Sequence, residues 1–566
     1  MTGRDVTTSF ASTLVDEWAR SGLTHAVVSP GSRNTPLVLA LARDGRLRVD
    51  VVLDERSAAF RALGVGLASG RPAIVCCTSG TAAANMHPAV IEAHHARVPL
   101  LVCTADRPPE LRDWGAGQTI DQAHLYGRAV RWYHDPGPPV DGRGVGARWR
   151  ALAGRSVAEA LGPPPGPVHL NLPFEEPLVP TGAPLVDAPA RAGGGPWIRT
   201  TRVRAEAAPS EIAEIADLVR AHPHGLVVAG WGAGADPSVV HRFAAAAGWP
   251  VLADAVSQLR TDPQTVSTYE ALLRSEEFAR AHRPELVIRL GAPLTSKVAN
   301  AWLDTDVPHV VVDPHRSWLD PQRSTAHHVA ADANGFLTSL TIALGAEPVR
   351  SSWLASWYTA ERRVRAAIDR VLDDCEVPIE GQVARDLAAA IPDGGTLVVA
   401  SSLPVRALEW CMAPRTGVRV LANRGANGID GFVSTVAGVA AANEGRPTVA
   451  LSGDLCFLHD TNGLLHTDRS AATTFVVIDN DGGGIFSYLP QHDLPEFEAL
   501  FATPSGVDPV AVARAHGITA ERVEGRAKWH EVIAGGPDVV VVTIDREAGI
   551  TAHRRMWDAA ATALAQ

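Results

Sequence analysis

Residues 448–482 read TVALSGDLCFLHDTNGLLHTDRSAATTFVVIDNDG. Two short apolar runs, Thr448–Leu451 and Phe475–Ile478, stand a helix length apart, and each gives way at once to small and polar residues. Such spacing predicts neighbouring parallel strands buried on both faces, since a parallel pair needs a crossover of about a dozen or more residues, usually a helix. Open parallel sheets bind ligands at the carboxyl ends of their strands, and here those ends carry Gly453-Asp454-Leu455 and Asp479-Asn480-Asp481-Gly482. Asp454 and Asn480, 26 positions apart, are thereby set at adjacent strand tips. One carboxylate, one amide oxygen and a backbone carbonyl near Gly482 make a hard-oxygen half shell that leaves room for phosphate oxygens on a divalent cation. Either turn alone is an ordinary strand-to-loop connection; the pair at this spacing points to a metal-diphosphate site.

Outward from this stretch the same pattern recurs. Strand-like runs fall at His25–Ser29, Val49–Leu53, Ala73–Cys77, Leu100–Cys103 and Val168–Leu172, then at Gly225–Ala229, Leu286–Leu290 and Val310–Asp313, and finally at Thr396–Ala400, Val418–Leu421 and Val539–Ile544. The stretch Pro180–Pro209, dense in Pro, Ala and Gly and without periodicity, reads as a linker. A long amphipathic segment, Ser352–Asp374, bridges the second group to the third. The expected architecture is three consecutive parallel-sheet α/β domains, at 1–180, 210–345 and 375–566.

The 566 residues suffice for several cores without disulfide staples. With 46% hydrophobic and 20% charged residues the composition excludes disordered, collagenous and solenoid classes. A formal charge of −11 opposes non-specific binding to nucleic acid or anionic bilayers, so an anionic ligand must find a local basic cluster. Of 51 basic residues only Lys297 and Lys528 are lysines, so 49 are arginine and a lone Arg carries little information. Six cysteines without a CxxC pair or zinc spacing read as free thiols of a reducing compartment. Met1–Phe10 has no apolar leader core and no apolar stretch reaches about 18 residues, so neither a targeting segment nor a stable membrane insertion is expected, and the expected location is cytoplasmic.

Other strand tips carry further candidates. Glu55 opens an Ala-rich helix after Val49–Leu53; as a first-turn acid it favours the helix dipole, and buried against a ring nitrogen it would share a proton. Ser29-Pro-Gly-Ser32-Arg33-Asn34-Thr35-Pro36 forms a turn into a helix whose free N–H groups suit an anion. Arg107 and Arg424 lie in loops that follow strands, and Ser402 and Arg406 stand one helical turn apart. A decoy, Gly230-Trp-Gly232-Ala-Gly234-Ala235, loosely fits GxGxxA with Asp254 beyond it, a weak dinucleotide signature.

Seven blocks, Ser29–Pro36, Asp54–Phe60, Thr78–Asn85, Pro167–Phe174, Asn423–Gly431, Gly453–Leu455 and Asp479–Phe486, resemble the thiamine-diphosphate-dependent decarboxylase superfamily over nearly the whole chain. Ser29–Arg33 and Asn423–Gly431 resemble more specifically its menaquinone-pathway carboligase branch. The resemblance implies a pyrimidine-binding domain, a central domain without cofactor and a diphosphate-binding domain. It also implies a homodimer or homotetramer with active sites between subunits. It implies thiamine diphosphate with Mg2+ or Mn2+, the metal on Asp454, Asn480 and the Gly482 carbonyl, and Glu55 as catalytic acid. Cofactor contacts are implied at Glu55, Thr78, Ser79, Ser402, Leu403, Ile429, Asp454, Leu455, Asn480, Ile485 and Phe486. The implied substrates are 2-oxoglutarate, gripped by Ser402, Arg406 and Arg424, and isochorismate, gripped by Ser32, Arg33, Arg107, Gln118 and Lys297. Two features depart from the pattern: Val298 follows Lys297 where members of the branch carry a second basic residue, and Asp479-Asn480-Asp481 replaces an all-Asn run. The alternatives are another 2-oxo acid carboligase of the acetolactate synthase type with FAD, and an oxidoreductase binding a nucleotide at Gly230–Ala235.

Overall fold

The computed structural model describes residues 4–201, 203–304, 306–466 and 472–566. Met1–Gly3 of the opening stretch and Arg202 of the linker lie outside these. Three parallel sheets organise the chain. The first comprises β1 (His25–Val28), β2 (Arg48–Val51), β3 (Ala73–Cys77), β4 (Leu100–Asp106), β5 (Trp132–His134) and β6 (Pro167–Pro173), in the order β2-β1-β3-β4-β6-β5. The second comprises β7 (Gly225–Ala229), β8 (Val251–Ala253), β9 (Leu286–Leu290), β10 (His309–Val312) and β11 (Thr325–Val329), in the order β11-β10-β9-β7-β8. The third comprises β12 (Thr396–Val399), β13 (Arg419–Leu421), β14 (Thr448–Gly453), β15 (Thr473–Asp479), β16 (Ala520–Val523) and β17 (Val539–Thr543), in the order β13-β12-β14-β15-β17-β16.

Numbered within its own sheet, each begins 2-1-3-4, and the first and third sheets continue identically as 6-5. The direction of winding reverses between the first and third strand of each sheet, which opens a crevice at their carboxyl ends, the preferred ligand position of this architecture. The central strands are continuously apolar and buried, as in Ala73–Cys77 and Val539–Val542. Burying each Val or Ile side chain there contributes about 1.5–3 kcal/mol. Register then aims the tips: Val28 pairs with Cys76, and Cys77 with Thr104, so the segments from Ser29, Thr78 and Ala105 emerge side by side.

By packing, the chain divides into two compact units. The first contains the first sheet with residues 423–448 and 456–473; the second contains the other two sheets. In the first unit, helices Glu55–Ser69 and Phe432–Ala442 cross backbone to backbone. A Cβ on Gly64 would lie 2.1 Å from the Thr435 carbonyl oxygen, and one on Gly438 would lie 2.0 Å from that of Arg61. In the second unit, helix Ser352–Asp373 buries Trp353, Trp357, Val364, Ile368 and Val371, the stripe its periodicity demands, and the Ser351 hydroxyl caps it by accepting from the Leu354 N–H at 3.2 Å. Among the described residues, no helix is long and apolar enough to cross a membrane, and all six cysteines are buried and outside any disulfide.

Candidate functional site

In the first unit the crevice between β1 and β3 holds most of the sequence-derived basic and hydroxyl residues. Ser79 is buried, and its hydroxyl accepts from Arg107 Nη1 and donates to the Gln118 carbonyl at 3.0 Å. Gln118 Nε2 returns a hydrogen bond to the Ser79 carbonyl at 3.1 Å. Arg33 Nη1 donates to the Phe174 carbonyl at 2.9 Å and Nη2 lies 3.4 Å from the exposed Glu176 carboxylate, while its Nε is buried without a partner. Burial, followed by repulsion from Arg33, lowers the Arg107 pKa, so the two guanidinium groups converge on one space. Ser32 is exposed beside them, and Thr78 is packed under Gly31.

A buried polar thread supports this cluster. Asp106 accepts from the Arg107 N–H at 2.7 Å and from Asn171 Nδ2 at 2.9 Å, Gln122 bonds Asn171 at 2.8 Å, and the Gly80 N–H donates to Gln122 at 2.9 Å. Thr104 ties in His169 at 2.7 Å, and burial pushes the His169 pKa down to about 3, leaving the ring neutral. Glu55 is half-buried in the first turn of its helix, with Asp54 as N-cap. That position is the first-turn acid of the helix-dipole reading.

One residue was not visible in sequence. Buried Glu92 accepts three backbone N–H groups, from Gly425 at 2.8 Å, Ala426 at 2.6 Å and Asn427 at 2.8 Å. A carboxylate in such a cradle is strongly held, since hydrogen bonds to a charged acceptor contribute about 1.5–3 kcal/mol each. It anchors the loop that carries Arg424 and Ile429, both half-buried, across more than 300 positions of sequence. An acid on a helix face is unremarkable by itself, so no local signal announced it.

In the second unit, Asp454 opens a helix directly at the end of β14, buried, with Oδ2 accepting from the Gly482 N–H at 2.7 Å. Burial pushes its pKa up to about 6, because its backbone hydrogen bonds only partly offset the desolvation and the Asp479 charge adds to it. Asn480, at the end of β15, donates through Nδ2 to Glu380 Oε1 at 3.2 Å, which turns its amide oxygen to the acceptor role. A buried carboxylate short of countercharge, an oriented amide oxygen and a turn at Gly482 (φ +120°) fit a divalent cation bridging to phosphate. Among the described residues no group of three or more His, Cys, Asp or Glu side chains could hold a metal ion. Ser402 occupies the N-cap position of the helix Leu403–Cys411 with a positive φ of +70°, strained for a residue with a side chain, and its carbonyl accepts from Arg406 Nη1 at 2.6 Å. Leu403 is buried; Leu455, Ile485 and Phe486 are half-buried. Lys297, Arg406 and Ile485 line one cavity of about 440 Å3.

The Gly230–Ala235 turn behaves differently. A Cβ on Gly230 would stand 1.8 Å from the Ala292 carbonyl oxygen and one on Gly291 would stand 2.5 Å from that of Trp231, while the Ala292 N–H donates to Trp231 at 2.9 Å. Backbone closes this crevice. The next helix starts only at Pro237 with the Asp236 carboxylate as N-cap, a repulsive terminus for pyrophosphate. Asp254 is committed to the N–H groups of Thr295 at 2.6 Å and Val256 at 3.1 Å. The dinucleotide signature is therefore a packing device.

Comparison with known proteins identifies the family of the three sheets. Residues 8–125 match the thiamine pyrophosphate enzyme N-terminal TPP binding domain, 193–399 the middle domain of thiamine pyrophosphate enzymes, and 411–543 their C-terminal TPP binding domain. The chain is 44% identical to the 2-succinyl-5-enolpyruvyl-6-hydroxy-3-cyclohexene-1-carboxylate synthase of Thermobifida fusca (strain YX), over 98% of this chain and 99% of that one. It is 41% identical to the synthase of the same name from Chloroflexus aurantiacus, over 99% and 97% of the two chains. Its fold resembles the crystal structure of benzoylformate decarboxylase from Polynucleobacter necessarius, with a TM-score of 0.71 at 19% identity, over 96% of this chain and 99% of that one.

Proposed function

The chain belongs to the 2-succinyl-5-enolpyruvyl-6-hydroxy-3-cyclohexene-1-carboxylate (SEPHCHC) synthase family of thiamine pyrophosphate enzymes, and from that premise we propose that it is a transferase joining 2-oxoglutarate to isochorismate in menaquinone biosynthesis. The donor loses its C1 carboxylate as CO2, and its former keto carbon forms a new bond to the ring alkene of isochorismate, giving SEPHCHC. Bound thiamine diphosphate supplies the nucleophilic carbon and the electron sink.

The chain's own residues bind, orient and move protons. Glu55 holds and exchanges a proton at the pyrimidine ring nitrogen. Thr78, Ser79, Ser402, Leu403, Leu455, Ile485 and Phe486 contact the cofactor, and Ile429 supports it from beneath. Asp454, Asn480 and the Gly482 carbonyl hold Mg2+ or Mn2+ on the diphosphate. Arg406, Arg424 and Ser402 grip 2-oxoglutarate, while Ser32, Arg33, Arg107, Gln118 and Lys297 grip isochorismate through charge-assisted hydrogen bonds. The active assembly is a cytoplasmic homodimer or homotetramer with active sites completed between subunits, each built from the segments 1–180, 210–345 and 375–566.

The observation that carries this reading is the strand-tip arrangement of Asp454, Gly482 and Asn480, a buried carboxylate and an oriented amide short of a cation. Incubation of the protein with thiamine diphosphate, Mg2+, 2-oxoglutarate and isochorismate tests it. Loss of isochorismate with appearance of the SEPHCHC mass is the expected result. Turnover of pyruvate in place of 2-oxoglutarate would instead favour an acetolactate synthase-like activity.

A further inference from the structure

The 440 Å3 cavity of the second unit lies within the range of small-molecule sites, about 300–1,000 Å3. Beside Lys297, Arg406 and Ile485, its wall includes His553, Arg554 and Trp557 of the helix Arg546–Ala565, none of them singled out by sequence.

The wall's charges sort themselves. Its acids are spent: Glu270 accepts from Arg274 at 2.9 Å and from the Ser296 hydroxyl, and Glu409 accepts from Arg260 at 2.8 Å, from the Ala255 N–H at 2.7 Å and from the Tyr269 hydroxyl. Arg274 also lies 4.7 Å over the Trp557 ring, and Arg406 is tied to the Ser402 carbonyl. Lys297 and Arg554 are exposed on the wall and have no ion-pair or hydrogen-bond partner among the described residues. Val298, next to Lys297, adds no charge. Two ring nitrogens, His553 Nε2 and Trp557 Nε1, are buried without partners. The His553 ring sits 4.4 Å from Trp410, 4.9 Å from Tyr488 and 4.7 Å from Trp557, and burial pushes its pKa down to about 3, so it is neutral. Two unpaired cations and two unpaired ring nitrogens in an aromatic cup suit a ring acid bearing carboxylates and a hydroxyl, the chemistry of isochorismate.

Resting on the function proposed above, we propose that Arg554 is a specificity-determining residue of the acceptor site, clamping an isochorismate carboxylate together with Lys297. Steady-state kinetics of Arg554→Met and Arg554→Lys, with each substrate varied in turn, test this. In Arg554→Met the KM for isochorismate is expected to rise at least tenfold while that for 2-oxoglutarate moves less than twofold, and Arg554→Lys is expected to recover part of the loss. Titration of isochorismate into the holoenzyme without 2-oxoglutarate should show the same weakening. An isochorismate KM within twofold of the wild type in Arg554→Met, with an active wild type, overturns the role of Arg554 alone. A wild type that consumes no isochorismate with 2-oxoglutarate overturns the role and the functional reading together.

Discussion

The first and second sheets share the strand order 2-1-3-4 and differ in what fills the crevice between their first and third strands. In the first sheet it holds Arg33, Arg107, Ser79 and Gln118, with a buried Arg33 nitrogen lacking a partner. In the second sheet the same crevice is shut by the backbone of Trp231 and Ala292, which glycines at 230 and 291 allow to approach. In the third sheet an acid and an amide stand instead at the tips of the third and fourth strands, β14 and β15. Topology thus offers the crevice repeatedly, and its lining, polar side chains in the first sheet and close-packed backbone in the second, decides whether a ligand can enter. The same glycine-rich turn that suggests a dinucleotide site in sequence serves to exclude a ligand when its neighbour is another backbone.

The largest expected effect strikes an open crevice. Glu55→Gln should keep the fold and the cofactor but lower turnover at least about 100-fold, in line with general acid–base contributions; unchanged turnover would remove Glu55 from proton transfer. Next, Arg424→Ala should raise the KM for 2-oxoglutarate about 10- to 100-fold, the loss of a charge-assisted hydrogen bond. Glu92→Gln sharpens the point by acting through the loop: turnover should fall about tenfold as its N–H cradle loosens, with Glu92→Asp recovering less than the wild type. If turnover in Glu92→Gln matched the wild type, the loop would be held by other contacts.

The closed crevice should respond only in stability. Gly230→Ala forces a clash with Ala292 and should cost about 1–3 kcal/mol, read as a thermal midpoint lower by a few degrees, with thiamine diphosphate affinity measured by calorimetry unchanged. A large loss of cofactor affinity would show that this crevice matters to the site. The smallest effect concerns the thread beneath Arg107. His169 is neutral in the fold with a pKa near 3 and titrates near 6.5 when unfolded, so the unfolded state binds the extra proton and the fold loses stability as pH falls below about 6.5. Between pH 7 and 5 that loss is about 2 kcal/mol, so the midpoint gap between the wild type and His169→Gln should narrow over this range. A constant gap would mean His169 stays exposed to protons in the fold.

Interior strands were legible from sequence because burial on both faces demands unbroken apolar runs, as at Ala73–Cys77 and Leu286–Leu290. The strands that sequence passed over, β5, β8, β11 and β16, all lie at sheet edges. Edge strands have one neighbour and are short or partly exposed, so Thr325–Val329 and Ala520–Val523 carry charged or polar residues that hide the pattern. The helix Ser352–Asp373 was equally readable, since it depends on local periodicity.

Sequence alone determined the three α/β sheets, the strand-tip positions of Asp454 and Asn480 and the resemblance that identified the family, because each rests on residues close together in the chain. Only the tertiary structure decided which crevice is open, that Glu92 carries the Arg424 loop, and that Arg554 shares a cavity with Lys297. Those outcomes depend on backbone approach and unpaired polar groups between segments hundreds of residues apart, for which linear spacing has no signal.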